Sequence, residues 1–242
     1  MKIVARGITD VGKKRDHNED SFLVDVGLGL FVVADGMGGH AGGGTASRLA
    51  VETIEAAMRT AGELEEGKLR DALAEALARA CRSVYGAAQA DPSLAGMGTT
   101  VTAAAVAGPA AVIAHVGDSR CYLVRGGRIH QVSEDHSLVN EQLKAGAITA
   151  DEARHSRFRN IITRSVGFEE QVQIDMLGFV LEPQDQLVLC SDGLSNLAED
   201  REILEVVTHA TVEEAPARLV DLANSRGGDD NITVILVRAE AA

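Results

Sequence analysis

The sequence predicts an α+β fold: two packed antiparallel β-sheets, a β-sandwich, flanked on both sides by pairs of helices in α-β-β-α layers. Short apolar runs follow one another with turn-sized gaps, which favours antiparallel pairing over alternating β-α-β units. Two long stretches, 43–60 and 65–90, carry apolar residues at helical spacing. Two more helical stretches, 199–208 and 212–224, come late, just before a last apolar run at 232–237. The order strands, two helices, strands, two helices, strand is satisfied by two sheets covered outside by helix pairs.

In order, residues 3–9 read as a first strand, and 21–26 and 28–34 as two more joined at Gly27. No helix separates these two, so they pair as antiparallel neighbours. Helix 43–60 has a stripe of Leu49, Ala50, Thr53, Ile54, Ala57 and Met58; helix 65–90 has Leu69, Leu73, Ala76, Leu77, Ala80, Cys81 and Val84. Both stripes read as core-facing, with Glu65, Glu66, Arg70 and Arg79 off the second. Strands follow at 99–107, 110–117, 120–124 and 128–132, linked by Gly-Pro, Gly-Asp-Ser and Gly-Gly turns. From 136 to 167 the pattern loosens: 137–144 reads as a short helix and Thr149-Ala-Asp-Glu152 as a capping box. Arg154, Arg157, Arg159 and Arg164 make this segment basic, either a solvated excursion or a flap receiving an anionic substrate. Residues 171–180 and 186–190 are strands again. With no linker or repeat, 1–242 is expected to be one domain, with a variable flap at 137–167.

The chain has 242 residues, 45% hydrophobic and 24% charged, enough to bury a core without staples. Its net charge of −13 argues against nucleic acid or an anionic membrane as main partner, because both need a basic footprint. Cys81, Cys121 and Cys190 are odd in number, widely spaced and in apolar surroundings, so they read as buried free thiols in a reducing compartment. The N-terminal residues lack a signal peptide's apolar core, and the longest apolar stretch, 101–117, is too short and broken to span a bilayer. A cytoplasmic location is the expectation.

The chemistry gathers where strands stop. The run 28–34 ends in Asp35-Gly36, a carboxylate beside a backbone carbonyl that a glycine is free to turn outward. Both are hard oxygen donors of the kind magnesium and manganese prefer. Glu19-Asp20, Asp118, Asp192 and Asp229-Asp230 also fall at predicted strand ends. Each alone is an ordinary turn residue. Brought to one rim, they would repel one another unless divalent cations intervened. Two such ions, bridged by a water, make a hydroxide nucleophile and clamp a phosphoryl oxygen. Arg15, four residues before Glu19, offers a planar fork to phosphate.

These residues resemble the metal-dependent protein serine/threonine phosphatases of type 2C, the PPM family, in its bacterial-type single-domain form. The matching pieces are Arg15-Asp-His-Asn-Glu-Asp-Ser21, Val33-Ala-Asp-Gly-Met-Gly-Gly-His40, Gly96-Met-Gly-Thr-Thr100, Gly117-Asp-Ser-Arg120, Ser191-Asp-Gly-Leu194 and Asp230-Asn-Ile-Thr-Val234. They occur in the family's order over nearly the whole chain. The resemblance implies hydrolysis of phosphoserine and phosphothreonine on proteins by direct attack of a metal-bridging hydroxide. Asp35 would bridge two manganese or magnesium ions; the Gly36 carbonyl would bind one, and Asp192 and Asp230 the other. Glu19 and Asp20 would act through metal-bound waters, Arg15 would hold the phosphate, and Asp118 with Asp192 would hold a third, weaker ion. Some members place a histidine directly after the Asp-Gly pair as general acid; here Met37 stands there. His40 and a water on the third ion are the candidates, and a loop-ordering hydrogen bond is the other reading of His40. The implied partners are phosphorylated proteins, including a serine/threonine kinase or its targets.

Rival chemistries fit less well. A cysteine phosphatase needs an arginine six positions after its nucleophile, where Ala87, Gly127 and Asn196 stand. No Gly-x-Ser-x-Gly elbow and no Gly-Lys-Ser/Thr phosphate loop occurs. Gly36-x-Gly38-x-x-Ala41 mimics a dinucleotide fingerprint, but no second strand follows its helix to present a ribose-binding acid. A catalytically silent binding domain of the same fold would be expected to have lost metal ligands, and none is missing.

Overall fold

Strand β3, Leu30–Met37, alternates between two apolar environments: Leu30, Val32 and Ala34 enter one buried cluster, Phe31 and Val33 another. A strand buried on both faces needs an unbroken apolar run, and the sequence supplies one here. The computed structural model that shows this describes residues 1–38, 42–62, 66–154 and 156–241.

One sheet orders its strands as β1 (Lys2–Asp10), β11 (Ile232–Glu240), β10 (Gln186–Cys190), β7 (Arg120–Arg125) and β8 (Arg128–Gln131). The other runs β2 (Asp20–Asp25), β3, β5 (Val101–Ala107), β6 (Ala110–Val116) and β9 (Asp175–Val180), with β4 (Gly98–Thr99) paired to the end of β3. All the pairings are antiparallel. Helices α1 (Gly42–Ala61) and α2 (Glu66–Ala90) cover the second sheet through Ala50, Ile54, Leu73 and Leu77. Helices α6 (Asp200–His209) and α7 (Ala215–Ser225) cover the first through Ile203, Val207 and Leu219. Between the sheets lies a third cluster, with Phe31, Ile113, Leu189 and Ile235 fully buried. These three clusters make four layers, helices–sheet–sheet–helices, as the element order requires.

Between Ser133 and Val166 the chain leaves the sandwich. It forms α3 (Leu138–Lys144) and α4 (Ala150–Arg154), the latter opened by the expected box in which Thr149 and Glu152 bond each other's backbone N–H. Its return is pinned by Thr163 N–H to the His136 carbonyl (2.8 Å) and by a Thr99–Val166 bridge. Arg164 is taken up by Asp175 at 3.1 Å. The three cysteines are buried free thiols, as expected.

Some boundaries differ from the reading of the sequence. The strand expected over 99–107 breaks at Thr100, whose N–H donates to the Asp35 carbonyl (2.8 Å) and whose hydroxyl accepts the Asp35 N–H (2.9 Å). The strand expected over 171–180 begins at Asp175, the first residue that pairs with β6, opposite His115. The helix expected from Val212 begins at Ala215, with Pro216 in its first turn. A single helical turn, α5 (Asp192–Ser195), was not expected at all. Gly39, His40, Ala41 and Glu65 lie outside the described residues.

Candidate metal centre

Asp35 shares its phase on β3 with Phe31 and Val33, so its side chain points between the sheets where the apolar core runs out. Its cross-strand partner on β2 is Asp20, on the same face. Two carboxylates directly opposite each other are destabilising unless something neutralises them. From the other sheet, the hydroxyls of Ser191 (2.8 Å) and Thr233 (2.6 Å) both donate to Asp20 Oδ2. Asp20 Oδ1 is buried and has no partner among the described residues.

The ends of β10 and β11 deliver the other acids. Asp192 opens α5 directly after β10, within hydrogen-bonding range of Asp35, and Asn196 donates to its Oδ2 (3.0 Å). Asp230 precedes β11 and accepts from Arg15 Nη2 at 2.7 Å. Asp118, in the β6–β7 turn, feels the charge of Asp192. Burial first, and these neighbours' charges next, raise the Asp118 carboxyl to about 8 and that of Asp192 to about 6. Burial lifts Asp20 to about 7 against the pull of its two hydroxyl partners. Asp35 is pushed well above the carboxylate range by burial, then by Asp20, Asp192, Asp118 and Asp230.

Glu19 is held by its backbone: its N–H donates to Asn231 Oδ1 (2.8 Å), and its carbonyl accepts from Ser47 of α1 (2.6 Å). Asn231 Nδ2 also donates to the carbonyls of Val11 and His17, both at 3.0 Å, stapling the Arg15-bearing loop to β11. These positioning residues, Ser191, Thr233, Asn231, Thr100 and Ser47, were not singled out from the sequence. The available signal was membership: Thr100, Ser191, Asn231 and Thr233 stand inside the motif pieces, and Ser47 outside them.

Gly36 differs from expectation in its reason. It lies within β3, paired with Thr99, and has no positive φ. A Cβ there would meet the Gly43 carbonyl oxygen at 2.1 Å and that of Glu19 at 2.6 Å. Close approach of three backbones, not backbone freedom, requires the glycine.

The structure thus brings Asp20, Asp35, Asp118, Asp192 and Asp230 into one mutually repelling set, with Glu19 and Arg15 at its edge. Among the described residues, Glu19 Oε1, Asp20 Oδ1 and Asp192 Oδ1 are all buried without a partner. Orphaned buried oxygens are rare and demand a donor or an ion. Among the described residues no three His, Cys, Asp or Glu side chains stand close enough to enclose an ion by themselves. A hard cation that keeps part of its water shell and accepts a backbone carbonyl suits such a rim, so the donor set fits magnesium or manganese.

Known proteins are similar to this chain in sequence and fold. The protein phosphatase 2C profile matches residues 12–232. Protein phosphatase PhpP of Streptococcus pneumoniae is 40% identical, over 95% of this chain and 95% of its own. The serine/threonine phosphatase PstP/Ppp of Mycobacterium tuberculosis superposes with a TM-score of 0.92 at 35% identity, over 100% of both chains. The catalytic domain of PstP in complex with two manganese ions superposes with a TM-score of 0.91 at 33% identity, over 99% of both chains. Fold, rim and motif order converge on one conclusion: the chain belongs to the protein phosphatase 2C family of metal-dependent serine/threonine protein phosphatases.

Proposed function

We propose that this chain removes phosphate from phosphoserine and phosphothreonine in proteins, with Asp35, the Gly36 carbonyl, Asp192 and Asp230 holding two manganese or magnesium ions. Asp118 with Asp192 would hold a third, weaker ion, and Glu19 and Asp20 would act through water rather than by direct contact. When bound, the ions supply Lewis-acid polarisation of the phosphoryl group and a nucleophilic water at neutral pH. The chain's own groups orient and exclude. Ser191 and Thr233 fix Asp20 by one oxygen and leave the other facing the rim. Asn231 holds the loop of residues 11–19 in place, and with it Arg15. Arg15 is half exposed beside Asp230, and its planar fork would be offered to a substrate phosphate at the rim. His40 donates the proton to the leaving serine or threonine oxygen.

The observation that carries this reading is the trio of buried carboxylate oxygens at one rim that have no partner among the described residues. Hydrolysis of a phosphothreonine peptide should require added manganese or magnesium and stop with EDTA; metal-independent turnover would overturn it. We further propose a cytoplasmic protein, one catalytic domain with residues 137–167 as flap, opposing a serine/threonine kinase. The acidic composition, unsuited to an anionic membrane surface, supports the location, and among the described residues no helix is long and apolar enough to cross a membrane. Phosphoproteomes of cells with and without the protein test the kinase link: shared sites should gain phosphate when it is absent.

A further inference from the structure

The end of the first sheet opposite the acidic rim holds a cavity of about 500 Å3. Strands β10 and β11 run between the two places. Asp192 follows one end of β10 and Gln186 begins the other; Asp230 precedes β11 and Arg238 lies near its far end. Gln186 and Arg238 are cross-strand partners, and both line the cavity with Gln184, His209 and the Gly126-Gly127 turn. Among the described residues no Asp or Glu lines it, in a chain of net charge −13.

Arg238 is the anomaly. Among the described residues four arginines are partly buried: Arg120, Arg125, Arg164 and Arg238. The first three pair with Asp135, Asp185 and Asp175. Arg238 has no carboxylate partner among the described residues. Its Nη2 donates to Gln186 Oε1 (3.0 Å) and, at longer range, to the carbonyls of Val207 (3.3 Å) and Ala210 (3.4 Å) at the end of α6. Nε and Nη1 have no partner among the described residues. A half-buried cation in this state is stabilised by taking up an anion.

Gln184 is a second, separate observation. It is the only non-glycine among the described residues with positive φ, 78°. It occupies the third position of a turn closed by Asp185 N–H to the Glu182 carbonyl (3.0 Å), directly after Pro183, where glycine is favoured. An amide side chain is kept at the cavity wall against the preference of its own backbone.

We propose that this cavity binds a small molecule with an oxyanion head, phosphate or carboxylate, gripped by Arg238 and the amides of Gln184 and Gln186. The site is separate from the rim that handles substrate phosphate. Its volume lies within the range of small-molecule pockets and admits more than a bare ion.

The test is an amide NMR titration of the magnesium-loaded full chain with three probes: inorganic phosphate, the methylenephosphonate analogue of adenosine monophosphate, and succinate. Saturable shifts are expected at Gly126, Gly127, Gln184 and Gln186, and the probe that saturates first identifies the head group and whether a larger body is needed. Arg238→Met should weaken binding at least tenfold. Gln184→Gly removes the strained φ, so it should melt no lower than the parent while binding severalfold more weakly; it serves should the arginine variant fail to fold. No saturable shift at these amides with any probe, or equal affinity in both variants, would overturn the proposal. The readout is binding, so it stands or falls apart from the phosphatase assignment.

Discussion

Single carboxylates set the chemistry of the rim. Asp35 sits opposite Asp20, and the charges of Asp20, Asp192, Asp118 and Asp230 all oppose its own. Asp35→Asn keeps the shape and relieves the repulsion, so the variant should fold at least as well as the parent without metal. Its turnover of a phosphopeptide should nonetheless fall on the order of 100-fold or more, the scale of losing a principal electrostatic group. Near-parental turnover with manganese present would remove Asp35 from the centre. His40 is separable by leaving group. An alkoxide from serine needs a proton, whereas an aryl oxide with a low pKa does not. His40→Ala should therefore slow phosphoserine peptide hydrolysis by roughly 10²–10⁴-fold and leave p-nitrophenyl phosphate hydrolysis near its parental rate. Equal losses on both substrates would point to loop ordering, and no loss on either would leave the proton to water.

Elements matter through how closely they approach. The β2–β3 pair, the start of α1 and β4 meet at Gly36, with no room for a methyl group. Overpacking of this kind typically costs about 1–3 kcal/mol, and here the obstacles are backbone atoms that cannot rotate away. Gly36→Ala should lower the melting temperature and displace the loop bearing Glu19, and thermal unfolding with circular dichroism would show it. Strand β6 carries a different constraint. His115 is fully buried, Nδ1 accepting from the Thr102 hydroxyl and Nε2–H donating to the Glu134 carbonyl, with the His136 ring 4.9 Å away and Asp135 and Asp175 contributing weak attraction. Burial, then the neighbouring His136, lowers its pKa to about 4 from 6.5. The folded state thus binds fewer protons than the unfolded chain between these values. This part of the stability is intact above pH 6.5 and declines as pH falls toward 4. The rim carboxylates, whose pKa values folding raises, favour the folded state as pH falls and act in parent and variant alike, so the test is the difference. Over that range His115→Gln should gain melting temperature relative to the parent as pH falls, and parallel slopes would show that His115 contributes nothing.

At the scale of the molecule, the rim stores repulsion that the rest of the sandwich holds in place. The inter-sheet core, with Phe31, Ile113, Leu187 and Ile235 buried on both sheets, keeps strand ends together that their charges would separate. Ions that bind only the folded state add stability by mass action. At free manganese about 100 times its dissociation constant, the gain is about 2.7 kcal/mol, several degrees of melting temperature in a chain of this length. Calorimetry should show that rise for the parent chain and a much smaller one for Asp35→Asn. A parental melting temperature indifferent to manganese would contradict the centre.

The layer order and most of the site could be read from the sequence because they depend on local pattern. The all-apolar run of β3 signals burial on both faces. Helical stripes declare which side of α1 and α2 is covered, and the motif acids mark strand ends. What the sequence could not decide was mutual distance. That Thr100 would break a strand to hold Asp35, or that Asn231 would staple a loop more than two hundred residues away in sequence, follows from hydrogen bonds whose partners are chosen only after the sheets pack. Gly36 shows the same division: its presence at a turn-like motif suggested conformational freedom, while the tertiary structure shows a crowded strand crossing. Local periodicity is written residue by residue along the chain. Close approach and shared burial of charge arise between segments remote in sequence, so only the folded chain determines them.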